Sequence, residues 1–371
     1  MTPRSTTTPL DTDTAGDVCK DRITSCPITV VIAARNEAQN IEACITSVLA
    51  NEGLDGPVDV IVVDGNSTDD TSDIVKALAQ KSPRIRLMNN PAGYAPHAFN
   101  IGIRNALGRH VMILSGHSKL SRHHLAACVD VLDKGQADIA GGVTQTLPGQ
   151  ETEEAHAVWL AMTHPLGFGA SKFRQGVDVP TEVDTVAFGA MHGDLFAKVG
   201  LFDEDLIRGQ DDEFNARVRR NGGRILLLPE LSCAYFARTT ISQLYRMCYQ
   251  YGAFKPISNI KAGNLISLRQ FAPSSMLLSF VAGLLISLIW GWAILLPVTI
   301  ALCYLVLSLH RARKLKNGIS LPGVWLILKS FIAAHSGYGL GFLHGIYAVI
   351  RYGKTAAKRL ARSQSLVRLS R

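Results

Sequence analysis

The chain has 371 residues, 47% of them hydrophobic and only 18% charged, with a formal net charge of +8. That balance argues for membrane contact and against a wholly soluble protein. The last acidic residue is Glu230; from Leu231 to Arg371 only Lys, Arg and His carry or gain positive charge, and no Asp or Glu occurs.

An acidic amino-terminal part therefore precedes a basic, apolar carboxy-terminal part. The positive-inside rule accounts for such a split, and so does an anionic partner, either lipid headgroups or a phosphorylated lipid. Nucleic acid is not expected as a partner, because the basic residues alternate with long apolar runs and no nucleic-acid motif is present. Residues 1–25 are rich in Thr and Asp, lack an apolar run, and read as a disordered leader and not a signal peptide. The seven cysteines (Cys19, Cys26, Cys44, Cys128, Cys233, Cys248, Cys303) make no C-x-x-C pair and read as reduced packing residues of a cytosol-facing protein.

Taken in order, Ile28–Ala34 is a β-branched apolar run, a buried strand, ended by Arg35-Asn36-Glu37. Ile41, Cys44, Ile45, Val48 and Leu49 form a helical stripe. Val58–Asp64 is a second buried strand that stops at a carboxylate, and Gly65-Asn66-Ser67-Thr68-Asp69 after it is turn chemistry. Asp64 thus sits at the carboxyl end of a strand, where ligands bind in open α/β sheets. It can accept hydrogen bonds from a uracil ring or a ribose hydroxyl; the competing role is to cap the next helix. A helix through Ile74 and Leu78, a strand at Ile85–Met88, a helix from about His97 to Ala106 and a strand at His110–Leu114 come next. This alternation predicts a parallel, three-layer α/β domain. The fourth strand ends in Ser115-Gly116-His117, and His123 and His124 read as helix-surface residues.

Together, Ile28–Glu37, the Asp64–Thr71 run and the triplet at 115–117 resemble the inverting family 2 glycosyltransferases of the GT-A fold, over roughly residues 26–260. The resemblance implies an α/β fold: a Rossmann-like GT-A glycosyltransferase domain at 26–260, followed by a helical membrane region at 270–350. It implies that Ala33, Arg35, Glu37, Asp64, Ser67 and Ser115 hold the nucleotide. The family triplet is Asp-x-Asp or Asp-x-His and binds a divalent metal bridging the diphosphate. Here Ser115 replaces the first carboxylate, and His117 stands as the metal ligand, a choice that suits Mn²⁺ better than Mg²⁺. The alternative is a hydrogen-bonding His, with the metal resting on diphosphate and water.

Further along, Ala137–Val143 reads as a strand and Ala155–Met162 as a helix. His164–Arg174 is Gly-rich and basic and is similar to the acceptor-side loop of succinoglycan-type exopolysaccharide glucosyltransferases. Arg174 or Lys172 is placed on phosphate there, with simple solvated charge as the alternative. Phe188–Asp194 occupies the place where the family reads donor sugar and acceptor, with His192 as the candidate residue. In Gly209-Gln210-Asp211-Asp212-Glu213-Phe214, the Glu213–Arg217 and Phe214–Val218 spacings predict a helix with acids at its amino end, ended by Gly222-Gly223. The family places its catalytic base at the Asp of a Glu-Asp pair; Asp211 matches and Gln210 replaces the Glu. Asp212 and Glu213 read as dipole-stabilising acids. A base at a helix amino end is stabilised as the anion, so other neighbours must hold its pKa up. Ile225–Leu228 is a further strand. Gln243 and Arg246 match the Gln-x-x-Arg part of a motif of processive synthases and are carried as acceptor-side residues; Met247, in place of that motif's Trp, argues against a processive enzyme.

Residues 274–309 predict a membrane hairpin around Trp290-Gly291-Trp292, with His310–Lys316 on the cytoplasmic side. Residues 324–350 are long enough to span but carry Lys329, His335 and His344; a re-entrant pair bent at Gly337–Gly341 would keep the basic tail, 351–371, in the cytoplasm against an anionic leaflet. The expectation is an inner (cytoplasmic) membrane enzyme facing the cytosol, with Mn²⁺ or Mg²⁺ as cofactor. It would move sugar from a nucleotide sugar, most simply UDP-glucose, to a polyprenyl-linked glycan in exopolysaccharide or cell-surface polysaccharide synthesis. Transfer to polyprenyl phosphate or ceramide, or a catalytically degenerate nucleotide- or lipid-binding scaffold, are the rivals.

Overall fold

A computed structural model describes residues 26–167, 171–264, 267–314 and 321–363. The expected leader, Cys19 and the end of the expected tail lie outside the described residues. In chain order the elements are β1 (Ile28–Ala34), α1 (Ile41–Leu49), β2 (Val58–Asp64), α2 (Thr71–Lys81), β3 (Ile85–Asn89), α3 (Ala95–Arg104), β4 (His110–Ser115), β5 (Ser118–Leu120) and α4 (His124–Asp133). Next come β6 (Ile139–Leu147), α5 (Glu153–Thr163), α6 (Lys172–Gln175), β7 (Thr181–Glu182), β8 (Ala190–His192), α7 (Leu195–Val199), α8 (Gln210–Arg220) and β9 (Ile225–Phe236). The helices α9 (Ile241–Lys261), α10 (Leu268–Ser287), α11 (Leu295–Lys314), α12 (Leu321–Tyr352) and α13 (Ala356–Arg362) complete the order. This is the expected class, a Rossmann-like α/β domain followed by apolar helices.

The chain divides into two compact units, the first built from residues up to Gly141 with Phe188–Phe202 and Arg217–Leu226, the second from Gly142–Ala187, Asp203–Ala216 and Leu227 onward. In the first unit, strands lie in the order β3-β2-β1-β4-β8, then the start of β6. The first four are parallel; β8 runs antiparallel to β4 and to Ile139–Ala140. Every residue of β2, and all but Ala33 of β1, is buried, as unbroken Val/Ile runs covered on both faces require. Gly102 lets α3 lie directly on β1: a Cβ there would stand 2.2 Å from Val31 Cγ1. At the amino ends of the strands, Asp59 is buried but fully paired, with Arg86 through Nε (3.0 Å) and Nη2 (2.6 Å) and with the Thr29 hydroxyl at 2.7 Å.

Strand register brings the sequence-predicted residues level with one another. Ala34 of β1 pairs Asp64 of β2, and Ala33 pairs Ser115 of β4. Three carboxyl ends therefore finish abreast.

In the second unit, α12 packs along α9, and also against α5 and α10. Ala157, Ala161, Val324, Ile327 and Phe331 form one buried cluster, and Val158, Leu244, Cys248 and Ala334 anchor another. The bend expected at Gly337–Gly341 is not there: α12 is one helix of 32 residues, about 48 Å long at ~1.5 Å per residue. Its glycines serve close approach instead. A Cβ at Gly341 would stand 2.1 Å from the Tyr249 carbonyl oxygen, one at Gly345 2.3 Å from that of Ala253, and one at Gly252 of α9 2.2 Å from that of Tyr338. Small residues spaced four apart let two backbones touch, the packing common between membrane helices. Among the described residues three helices, Leu268–Ser287, Gly291–His310 and Gly323–Arg362, are long and apolar enough to cross a membrane. Large side chains such as Val281, Leu285, Leu295 and Val306 of the first two are exposed.

Candidate active site

The first unit assembles its residues at the carboxyl ends of β1, β2 and β4. Asn36 and Asn66, just past β1 and β2, both adopt left-handed backbone (φ 55° and 58°), a conformation Asn tolerates better than most residues. The two turns clasp each other. Asn36 N–H donates to Ser67 Oγ at 2.9 Å, Thr68 N–H to Asn36 Oδ1 at 2.8 Å, and Glu37 N–H to Thr71 Oγ1 at 2.8 Å. Asp69 accepts from Ala38 N–H and from the Thr71 hydroxyl and N–H. Burial works against its charge, but those hydrogen bonds outweigh it and lower the Asp69 pKa.

Asp64 is buried and accepts from both the N–H and the hydroxyl of Ser67. It therefore shapes the turn and does not cap α2, which begins at Thr71. Arg35 reaches across to the Gly93 carbonyl at 3.3 Å. Ala33 and Ser115 sit side by side, and Gly116 N–H donates to the Ala33 carbonyl at 3.0 Å. Ala33, Arg35, Glu37, Asp64, Ser67, Ser115 and His117 thus converge on one rim.

His117 Nδ1 lies 2.6 Å from Glu37 Oε1. Ser115 Oγ is 3.1 and 3.2 Å from the two ring nitrogens, which places it opposite the ring edge between them. A carboxylate behind an imidazole is the arrangement that orients a metal-ligating His. The pair fits a cation taken through Nε2. Among the described residues no cluster of three or more His, Cys, Asp or Glu side chains joins it, so phosphate oxygens and water would complete the coordination.

Strand register and burial remove two other expectations. His192 pairs His110, at the amino end of β4, while Gly189 rather than His192 meets the strand near its carboxyl end, accepting from Ile113 N–H. Because β8 is antiparallel to β4, each residue past Gly189 moves away from Ser115. His192 instead packs 5.0 Å from the His110 ring. His124 is not on a helix surface: it is buried at the start of α4, while His123 is exposed.

In the second unit Asp211 opens α8. Gly209 before it has φ +70°, which favours glycine, and its carbonyl accepts from Ser258 Oγ at 3.0 Å. Asp211 Oδ1 accepts from Asp212 N–H at 3.0 Å, and Asp212 pairs Lys255 Nζ at 2.6 Å. Asp211 keeps a face open to solvent. Even so, the protein around the carboxyl and then the charge of Asp212 raise its pKa from 3.8 to about 6, against the pull of that N–H and of Lys255. What holds the base up is thus the protein surrounding the carboxyl of a side chain that still reaches solvent, and then Asp212. Glu213 lies in the first turn of α8, where a dipole-stabilising acid is expected, and is buried.

Arg174 donates to Thr146 Oγ1 at 2.7 Å and Lys172 is exposed. Gln243 is a helix cap: its Oε1 accepts from Thr239 and Thr240 N–H while Thr240 Oγ1 accepts from Gln243 N–H. That explains Gln243 without an acceptor. Arg246 lies half-buried on the next turn of α9. Lys255, Arg208 and Tyr251 were not singled out as site residues by the sequence. Their relevance is set by long-range packing around Asp211, and the aromatic, basic run Tyr249–Lys255 was the one local signal for it.

The chain is 27% identical over 306 residues to the dolichyl N-acetyl-alpha-D-glucosaminyl phosphate 3-beta-D-2,3-diacetamido-2,3-dideoxy-beta-D-glucuronosyltransferase of Methanococcus voltae, covering 76% of this chain and 93% of that one. It is 28% identical to the succinoglycan biosynthesis protein ExoA of Rhizobium meliloti, covering 75% and 83%. Among solved structures it is similar to S. aureus TarS 1–349 in complex with UDP, at 12% identity and a TM-score of 0.45, covering 84% and 90%. Residues 29–190 match the model of glycosyl transferase family 2.

Proposed function

We propose that this is a membrane-anchored, inverting glycosyltransferase that moves a sugar from a nucleotide sugar, UDP-glucose in the simplest case, to a lipid-linked glycan in exopolysaccharide or cell-surface polysaccharide synthesis. The observation that carries the reading is Asp211: a carboxylate at a helix start whose pKa is raised to about 6, the range a general base needs near neutral pH. The dolichyl phosphate-linked sugar in the name of the M. voltae relative supports a lipid-linked glycan as acceptor, and the succinoglycan biosynthesis in the name of ExoA supports exopolysaccharide synthesis. Three helices long and apolar enough to cross a membrane support a membrane anchor, and the acid-free, basic sequence beyond Glu230 supports a catalytic part on the cytosolic side of the cytoplasmic membrane.

In this reading Asp64 and the Ser67 turn, with Ala33, Arg35 and Ser115, hold the nucleotide. Asp211 accepts the proton of the acceptor hydroxyl as that oxygen bonds to the anomeric carbon. The bond from that carbon to the diphosphate breaks with its electron pair on the leaving oxygen, and configuration inverts. A divalent cation, Mn²⁺ or Mg²⁺, held through His117 Nε2 with Glu37 behind it, would offset charge on the leaving diphosphate. Asp212, paired to Lys255, keeps the Asp211 proton affinity high.

The test is sugar-nucleotide turnover by the full chain in native membranes, with Mn²⁺, Mg²⁺ or EDTA, beside Asp211→Asn. Metal-dependent transfer to a lipid-extractable product, lost in the variant, is the expected result. Transfer that survives Asp211→Asn overturns the assignment of the base; donor binding with no turnover overturns the activity.

A further inference from the structure

The three apolar helical segments are not alike. Of the stretch that makes each apolar enough to cross a membrane, 50% is buried inside the protein in Gly323–Arg362, against 11% in Leu268–Ser287 and 17% in Gly291–His310. Exposed side chains spread widely round the first two. At ~100° per residue, Leu278, Val281, Leu284 and Ile286 of α10 cover about 200° of the helix, and so do Leu295, Leu296, Val298 and Leu305 of α11. On α12 the exposed Trp325, Ile332, Leu340, Tyr347 and Ile350 fall instead in one stripe about 80° wide. Lys329 and Ser336 lie in the same stripe. The Ser336 hydroxyl is satisfied within the helix, donating to the Ile332 carbonyl at 2.6 Å, and a Lys can lift its ammonium toward water.

The rest of α12 is fastened to other helices of its unit. Val324, Ile327 and Phe331 share a buried cluster with Ala157 and Ala161 of α5. Gly337, Gly341 and Gly345 meet the carbonyls of Tyr245, Tyr249 and Ala253 in turn, so α9 runs beside α12 in four-residue steps. Those glycines centre about 130° round the helix from the exposed stripe. The helix α9 also holds the start of α8: Lys255 pairs Asp212 at 2.6 Å, Gln250 accepts from Arg208 Nε at 3.0 Å, and Lys261 pairs Asp203. Crossing a bilayer, α12 would draw α9 and these charges in beside it, and charge is costly at membrane depth.

The hairpin meets α12 at the hairpin's base. Near the start of α10, Ser274 Oγ donates to the Gly339 carbonyl at 3.0 Å and the Phe271 ring lies 6.0 Å from that of Phe342. Near the end of α11, the Tyr304 hydroxyl is 2.7 Å from His335 Nδ1 and Leu309 packs on the cluster of Val324 and Phe331. Past the stripe come cations. Arg351, Lys354, Lys358, Arg359 and Arg362 are exposed, while Ala356, Ala357 and Leu360 bury one face of α13. The Tyr352 ring lies 5.6 Å from the Arg351 guanidinium and 5.9 Å from that of Arg359. An apolar stripe ending in five cations, with no acid after Glu230 to offset them, matches an anionic bilayer surface.

We propose that α10 and α11 cross the membrane while α12 lies in the membrane plane, its stripe from Trp325 to Ile350 seated in lipid and the cations of α13 on anionic headgroups. This rests on the reading of the chain as membrane-anchored and not on the assignment of Asp211. The chain before α10 and after α11 then lies on one side, and α9, with Lys255 beside Asp212, is held at the bilayer surface.

The test places nitroxides on the stripe of the full chain through Ile332→Cys, Leu340→Cys and Tyr347→Cys, each on a Cys19→Ser, Cys303→Ser background; Cys26, Cys44, Cys128, Cys233 and Cys248 are buried. The chain is reconstituted in vesicles of equal parts phosphatidylcholine and phosphatidylglycerol, and depth is read from relaxation by oxygen against a water-soluble nickel chelate. All three labels should lie at one depth, ~5–10 Å into the headgroup–acyl boundary. Positions 332 and 347 of a spanning helix would differ by about 22 Å, and a spread of that order overturns the proposal. So do labels open to water, or labels broadened by a neighbouring spin, which would give the stripe to a second copy of the chain. A second measurement needs no label. With epitope tags before Met1, at Gly291 and after Arg371, protease added outside sealed right-side-out vesicles should cut the Gly291 tag and spare both terminal tags. A cut carboxy-terminal tag beside a spared amino-terminal one means that α12 crosses and overturns the seat. Release of the chain by carbonate washing overturns the anchored reading itself, whereas a retained chain with spread depths overturns the seat alone.

Discussion

Asp211 offers the sharpest test of the proposed chemistry. Its pKa is raised from 3.8 to about 6, so about nine-tenths of it is ionised at pH 7 and about one-tenth at pH 5. A base must be ionised to accept a proton, so kcat/KM should hold above pH 7 and fall about tenfold per pH unit below 6. The two nearest charges push in opposite directions. Asp212→Asn removes the like charge and should move the acid limb to lower pH. Lys255→Met removes the opposite charge and should move it to higher pH. Stability has its own sign. A carboxyl whose folded pKa is raised contributes stability that is present below pH 3.8 and lost as pH rises through about 6. Asp211→Asn should therefore unfold at a higher temperature than wild type at pH 7 while losing transfer. The assay is a pH series of lipid-extractable radiolabelled product from membranes, with melting curves alongside. Limbs that coincide in wild type, Asp212→Asn and Lys255→Met would refute the argument.

Three further outcomes rest on packing and pairing. Gln243→Ala removes half of a capping box and should cost about 1 kcal/mol in a melt with no change in acceptor KM; a raised KM would return Gln243 to the acceptor site. Glu37→Gln leaves His117 without its carboxylate and should weaken Mn²⁺ activation about 10–100-fold; an unchanged Mn²⁺ titration would detach His117 from the metal. Gly341→Leu puts a side chain where a Cβ already meets the Tyr249 carbonyl at 2.1 Å. The cost should exceed the ~1–3 kcal/mol of ordinary overpacking, read as loss of the monodisperse peak in size-exclusion chromatography.

What was legible in the sequence tracks how local the cause is. Runs such as Val58–Asp64 declare a buried strand because every residue needs apolar cover, so its carboxyl-terminal Asp64 could be placed from composition alone. The convergence of Ala33, Asp64 and Ser115 was equally readable, because parallel strands with like connections end together. His192 failed where that logic stops. Only the antiparallel direction of β8 decides that Gly189 is the residue beside the upper part of β4 and His192 sits three steps away, and no single-chain pattern encodes pairing direction. The glycines of α12 failed in a related way. Gly337-Tyr-Gly-Leu-Gly341 read as a breaker by propensity, yet propensity yields when a partner helix gains contact from a missing side chain. The partner is α9, some ninety residues earlier, and its own Gly252 is the matching half of the contact. Asp211 stands between these cases. Its place at a helix start was readable from Gly209 and the spacing of Phe214 and Val218, but the helix end favours the anion and predicts a lowered pKa. What raises it is the desolvating protein around the carboxyl and Asp212, with Lys255 from α9 opposing, a balance that exists only once the unit is folded. A base tuned by tertiary packing on a helix that leads toward the apolar segments ties its reactivity to how α9 is held, and α9 is held by α12. Damage to the Gly341–Tyr249 contact should then shift the acid limb of transfer before it abolishes folding, a coupling that milder Gly341→Ala can expose.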